Sequence, residues 1–267
     1  VWALQPLLRR KLQRRGQQEP GYLQHVPQRF GVYEGPAPEA GRVWVHAVSL
    51  GETRAASLLI DALRQRLPGM RLLLTHSTAT GWAQGQSLLQ PGDVQAWLPW
   101  DTPEATRRFL QHHQPRCGIL METEVWPNLV HACQQAGVPL CLVNARLSAK
   151  SLRQSQRLAW LSLPAFRSLA AIWPQSEDDA RRLRLLGATV QPPVGNLKFD
   201  TTPNADQCAQ GLAVECQHLG VGTAHDQALV VIAVGHHHAQ DFQHGVGKVR
   251  VPAAGAKAGF ELGNANL

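Results

Sequence analysis

The chain has 267 residues, of which 44% are hydrophobic and 17% charged, and it carries a formal net charge of +7. That apolar share is enough for the core of one large or two ordinary domains and excludes an intrinsically disordered chain. With no run of about eighteen apolar residues, no membrane-spanning helix is predicted, and no secretory signal peptide is expected.

The cationic excess is concentrated at the start. Within residues 1–35, Arg9, Arg10, Lys11, Arg14, Arg15 and Arg29 are set against only Glu19 and Glu34. Such an excess favours anionic partners such as phospholipid headgroups, phosphorylated lipids or nucleotides. The rest of the chain is only mildly basic, so a nucleic-acid groove across the fold is not expected. Residues 7–15, LLRRKLQRR, read as a short basic amphipathic helix. It is either a solvated surface helix or a segment held at an anionic membrane surface, where each Lys or Arg contributes about 1 kcal/mol. The chain opens on Val and enters this segment directly, and further residues upstream are expected.

From residue 42, short apolar runs alternate with segments of helical periodicity. Strands are predicted at 42–48, 70–76, 94–98, 117–121, 138–143, 170–174 and 189–194. Helices are predicted at 52–66, 79–89, 103–113 (capped by Asp101), 125–136 and 178–186, the last ending at Gly187. Residues 151–169 are expected to be mostly helical, with a kink at Pro164. Parallel strands need crossover helices, so the alternation implies an α/β fold with a parallel sheet covered on both faces. Ligands of such sheets bind at the carboxyl ends of strands, which directs attention to the loops after residues 48, 76, 121 and 143.

The five cysteines, Cys117, Cys133, Cys141, Cys208 and Cys216, contain no CxxC pair. They read as small buried hydrophobes of a reducing cytosol and not as a disulfide framework or a zinc site. Beyond residue 200 the texture changes. Residues 203–228 are polar, 229–234 form one more candidate strand, and 235–267 are rich in Gly, Ala and His with little periodicity. The expected organisation is a basic segment at 1–35, a sheet domain at 36–200, and a poorly structured remnant of a further domain at 201–267.

Four loop regions carry candidate chemistry. Ser49-Leu50-Gly51-Glu52 follows a strand and opens a helix. S-x-x-E is a capping box, in which Ser49 accepts from the Glu52 amide and Glu52 reaches back to the Ser49 amide. The alternative is that Glu52 points out at the sheet edge as a general base, kept ionised by the helix N-terminus, with Gly51 allowing close approach of a substrate. Glu122, Thr123 and Glu124 follow the strand at 117–121. A place in the first turn of a helix accounts for Glu124 but less well for Glu122. No His or Asp is spaced to complete a metal shell around them, so neither a metal nor a cofactor is expected. Asn144 and Arg146 follow one strand and Lys198 another; the cations suit phosphate or carboxylate groups. His112-His113 and the run His236–His238 read as compositional, and the phosphate-loop, dinucleotide, zinc-protease and nucleophile-elbow motifs do not occur.

HAVSLGE (46–52), LTHSTATG (74–81), LPWD (98–101), ILMETEVWPNL (119–129), VNARLS (143–148), QSEDDARRL (175–183) and GNLKFD (195–200) occur in an order that resembles the 3-deoxy-D-manno-octulosonic acid (Kdo) transferases. The resemblance covers residues 5–200. It implies the N-terminal domain of a GT-B glycosyltransferase: a Rossmann-like domain that binds the acceptor, lipid A precursor, while a second domain binds the donor CMP-Kdo. It also implies inverting transfer without a metal at the cytoplasmic face of the bacterial inner membrane. Carried over by motif, Glu52 is expected to be the base, with Glu122 and Lys198 stabilising the transition state. Ser49, Gly51, Thr123, Asn144 and Arg146 are expected around the acceptor. Two departures stand out: Leu50 replaces the family's usual Val, and the donor domain is not recognisable after residue 234. Little activity is therefore expected of this chain alone; the alternatives are a non-catalytic module that docks the acceptor or the membrane, and a GT-B transferase with another nucleotide-sugar donor.

Overall fold

The computed structural model describes residues 5–200. The candidate strand at 229–234, Cys208, Cys216, the run His236–His238 and the expected remnant at 201–267 lie outside the described residues. The described part contains a six-stranded, all-parallel sheet in the order β3-β2-β1-β4-β5-β6. The strands are β1 Val43–His46, β2 Leu72–His76, β3 Val94–Trp97, β4 Cys117–Met121, β5 Leu140–Ala145 and β6 Ala171–Pro174. The helices are α1 Gln5–Gln18, α2 Leu50–Arg66, α3 Ala79–Gln86, α4 Pro103–His113, α5 Pro127–Gln135, α6 Ala149–Arg157, α7 Ala159–Arg167 and α8 Glu177–Arg184. This is the Rossmann-like arrangement expected from the alternation. Strand order reverses between β1 and β4, which opens the crevice where ligands of such sheets bind.

Alternation along the strands builds two cores. Val43 and Val45 of β1, Leu72 and Leu74 of β2, and Ile119 and Met121 of β4 share one core with Ala55, Leu59 and Leu63 of α2. The intervening residues, among them Trp44, Leu73 and Leu120, pack on the other face against Phe109 of α4, Val130 of α5 and Phe166 of α7. A strand buried on both faces reads as a continuous apolar run, as these do.

Three local expectations are corrected. Thr102, not Asp101, caps α4 by accepting from the Ala105 amide, and Asp101 instead accepts from the amides of Asn128 (3.2 Å) and Leu129 (2.8 Å) at the start of α5. The reason is that α5 begins at Trp126, whose side chain cannot cap, so the helix takes its acceptor from another loop. The 151–169 region breaks at Leu158, between α6 and α7, while Pro164 sits within α7. The predicted strand at 189–194 is reduced to one bridge, Ile172 to Val190, because Pro192 and Pro193 supply no amide donors for a ladder.

The edge strand β3 is covered by the N-terminal segment. Gln28 Oε1 accepts from the Trp97 amide at 3.0 Å, and the Trp97 indole donates to the Gln24 carbonyl at 2.7 Å. On the central strand, the Trp44 indole donates to Thr75 Oγ1 at 2.8 Å and lies over Gly118. A Cβ at position 118 would come within 2.6 Å of both the Trp44 ring and Leu140. Gly118→Ala is therefore expected to lower the free energy of unfolding by about 1–3 kcal/mol, read as a shift in the urea midpoint with little change in slope.

Candidate functional site

The rim at the carboxyl ends of β1, β4 and β5 gathers the expected residues. Ser49 caps α2, accepting from the Glu52 amide, and its hydroxyl donates to Glu52 Oε1 at 3.1 Å. The other carboxylate oxygen accepts from the Val48 amide at 3.0 Å, one residue before the amide expected from the motif. Glu52 thus serves its own helix start and still faces the rim. Each carboxylate oxygen has a second lone-pair direction, so capping leaves acceptor capacity for a proton. Burial raises the Glu52 pKa to about 6; the Val48 amide opposes this, and the charges of Glu122 and Glu124 add to it. Those fields place the three carboxyl groups in one electrostatic neighbourhood.

Glu122 ends β4 in the left-handed region at φ +57. Its amide donates to the Val143 carbonyl at 3.0 Å, and its carbonyl accepts from the Arg146 amide at 3.2 Å. The backbone therefore bridges the ends of β4 and β5 and turns the side chain toward Lys198, whose ammonium lies 2.7 Å from Glu122 Oε1. Lys198 stands in the 3-10 turn Leu197–Asp200, anchored by Leu197 in the core beside α2.

Asn144 is fully buried, also left-handed at φ +55, at an irregularity in the β5–β6 pairing. Its Oδ1 accepts from the Leu197 amide at 3.2 Å, and its carbonyl accepts from the Gln175 side chain at 2.9 Å. Expected around the acceptor, it clamps the segment that carries Lys198. Gly51, Thr123 and Arg146 are exposed on the rim.

Glu124, expected in a helix, precedes α5 and accepts from the Trp126 indole at 2.8 Å. Burial raises its pKa. Behind it lies His46, wholly buried, with Nε2 3.9 Å from Glu124. Nδ1 faces two acceptors, the Thr75 carbonyl and hydroxyl, so it carries the proton and leaves Nε2 as a lone pair. Burial pushes the His46 pKa down to about 3, so the imidazole is neutral and the contact is not an ion pair. The HAVSLGE motif contained His46, but a histidine inside an apolar run reads as a core residue until its neighbour across the sheet is known. Among the described residues no group of three side chains is placed to hold a metal ion.

The sequence profile of a family described as 3-deoxy-D-manno-octulosonic-acid transferase (kdotransferase) matches residues 24–201. The chain belongs to this family. It is 52% identical over 182 residues to the 3-deoxy-D-manno-octulosonic acid transferase of Bordetella pertussis, a match covering 66% of this chain and 42% of that protein. The Haemophilus influenzae transferase of the same name is 31% identical over 188 residues, covering 69% of this chain and 44% of that protein. The chain thus spans less than half the length of these relatives. Among solved structures, a UDP-GlcNAc 2-epimerase from Neisseria meningitidis aligns at a TM-score of 0.43 and 15% identity, over 60% of this chain and 48% of that one. The family match takes in every rim residue from His46 to Lys198.

The raised Glu52 pKa has a measurable sign. A carboxyl group that binds its proton more tightly when folded stabilises the fold at low pH and loses that contribution as pH rises. Stability is therefore expected to fall between pH 4.5, the ordinary value of a glutamate, and about 6, its value in the fold, and Glu52→Gln should flatten that slope. Urea midpoints measured across the window, with the Glu52 carboxyl carbon followed by NMR, check both.

Proposed function

We propose that this chain is the acceptor-binding half of a glycosyltransferase that moves Kdo from CMP-Kdo to lipid A precursor in lipopolysaccharide core biosynthesis. The observation that carries the reading is the convergence of Glu52, Glu122 and Lys198 on the β1/β4 rim within a family-matched span. In the proposed step the acceptor sugar hydroxyl attacks the anomeric carbon of Kdo from the face opposite the CMP phosphate. The new C–O bond forms as the bond to phosphate breaks, and the hydroxyl proton passes to Glu52. A base with a pKa near 6 is ionised at neutral pH yet basic enough to take a proton in the transition state.

The departing phosphate needs positive charge nearby, and Lys198 is the cation held at the rim. Glu122 keeps that ammonium in place by direct pairing, and Asn144 does so through the backbone of its neighbour. On this reading the transfer inverts the anomeric centre and needs no metal. The exposed residues Gly51, Thr123 and Arg146, together with Ser49, are proposed to meet the acceptor sugar and its anionic groups.

Membrane association at the cytoplasmic face belongs to the same reading. In α1, Leu12 is buried while Arg9, Arg10, Lys11, Arg14 and Arg15 are all exposed, an arrangement suited to anionic headgroups. No described helix is long and apolar enough to cross a membrane.

Transfer is to be assayed with residues 24–201 of this chain replacing the matching half of the Bordetella pertussis relative. Glu52→Gln is expected to lower turnover about 10²–10⁴-fold while lipid A precursor still binds. Unaltered turnover would rule Glu52 out as the base. Gly51→Ala is a second probe. A Cβ at position 51 meets no atom within 4 Å, so the fold is expected to be unharmed or slightly more stable. Weaker acceptor binding by this variant in calorimetry would place the sugar against that backbone.

A further inference from the structure

A cavity of about 450 Å³ lies beside the rim, between α1, the segment around Arg29 and the start of α4. Its volume is that of a small-molecule site. Arg9, Arg29 and Arg108 line it together with Phe30, Val32 and Trp100, and Glu104 is the one carboxylate on its wall. Glu104 is already engaged by Arg107 and Arg108 on its own helix.

Arg29 is the informative residue. Its side chain is only 3% exposed, yet among the described residues no carboxylate pairs with it. The guanidinium rests 3.8 Å from the centre of the Trp97 ring and donates one hydrogen bond, to the Ser77 carbonyl at 3.3 Å. Its Nε is buried without an acceptor, and so is the indole nitrogen of Trp100 on the same wall. Buried charges are ordinarily paired and buried donors satisfied. Those two nitrogens are sealed inside the wall, so what the cavity offers a ligand is positive charge: Arg29 without a carboxylate partner, with Arg9 and Arg108 beside it.

We infer that this cavity binds a phosphomonoester group, with the charges of Arg9, Arg29 and Arg108 around it and Phe30 and Val32 against an adjoining apolar group. A tetrahedral oxyanion with several acceptor oxygens suits three guanidinium groups on different elements better than a planar carboxylate. Arg9 already rests on the Phe30 ring at 4.6 Å, so it closes the cavity from the side of α1. The cavity joins the rim directly: Arg29 holds the Ser77 carbonyl, the Ser77 and Thr78 amides donate to the Val48 carbonyl, and the Val48 amide holds Glu52. As a subsite for one phosphate of the acceptor it rests on the function proposed above; as an anion site it stands without it.

The test uses the full chain and inorganic phosphate. Phosphate is expected to raise the thermal midpoint beyond what chloride does at equal ionic strength. Arg9→Gln and Arg108→Gln, both on exposed side chains that the fold does not need, should each weaken the apparent affinity about tenfold. Arg181→Gln, on exposed α8, should leave it unchanged. Arg29→Met is informative only if it folds, so the exposed pair carries the test. A second arm separates a lipid-borne phosphate from a soluble one. Retention by phosphatidic acid vesicles over phosphatidylglycerol vesicles, released by inorganic phosphate, marks a lipid headgroup; protection by phosphate without that preference marks a soluble ligand. Either supports the site. Protection no greater than that of chloride, or equal protection in the wild type and the Arg9→Gln/Arg108→Gln double variant, overturns it. Such a failure leaves the pH dependence of Glu52 untouched, so the two readings fall separately.

Discussion

The hydrogen bond from the Leu197 amide to Asn144 Oδ1 joins residues 53 positions apart and decides where Lys198 stands on the rim. Lys198 follows Leu197 directly, and its ammonium reaches Glu122 only because that turn is pinned beneath the end of β5. The acceptor oxygen is available because Asn144 adopts a left-handed backbone, which Asn tolerates better than most residues and which redirects its side chain out of the strand alternation. Glu122 does the same at the end of β4. Two non-glycine residues in this region on adjacent strands represent strain of about 1–3 kcal/mol each, offset by the bonds they make across the strand ends. Without that strain, β4 and β5 would continue their alternation and the acid and the cation would point elsewhere.

Electrostatics at the rim follow from this geometry. Three carboxyl groups, Glu52, Glu122 and Glu124, share one neighbourhood with a single lysine paired to one of them. Like charges held close and partly dehydrated cannot all be strong acids, and the strain appears as raised proton affinity on the two that lack a cation. Burial is the main cause of the raised Glu52 pKa, and the charges of Glu122 and Glu124 add to it.

The sheet was legible in the sequence because its signal is local: apolar runs, helical spacing and turn residues each report on a few neighbours. Six of the seven predicted strands form, and the seventh fails where Pro192 and Pro193 remove donors. The positions of Glu52, Glu122 and Lys198 at strand ends were also readable, since a parallel sheet puts all carboxyl ends on one edge. What could not be read was reach. Asp101 looks like the cap of the helix beside it, and only the folded loops show it serving α5. Asn144 looks like a surface contact, and only its left-handed backbone turns it inward. His46 looks like core, and Glu124 looks like a helix start. Asp101, Asn144 and His46 each depend on a partner more than twenty residues away, where single-chain periodicity carries no information.

The same long-range logic ties the rim to the basic N-terminal segment. Arg29 is buried against Trp97 without a carboxylate, which a fold built only for stability would avoid, since an apolar side chain of similar size fills the space at no electrostatic cost. Its retention makes sense if the charge faces something from outside the chain. The backbone linkage Arg29–Ser77–Val48–Glu52 then makes the strand ends of β1 and β2 a common support for the two proposed sites, the anion cavity and the base at Glu52. Binding energy gained at a distant phosphate can fix the reacting hydroxyl against its base, because both are referenced to the same short stretch of rigid backbone. A soft connection between them would let the remote group bind without bringing the hydroxyl any closer to reaction.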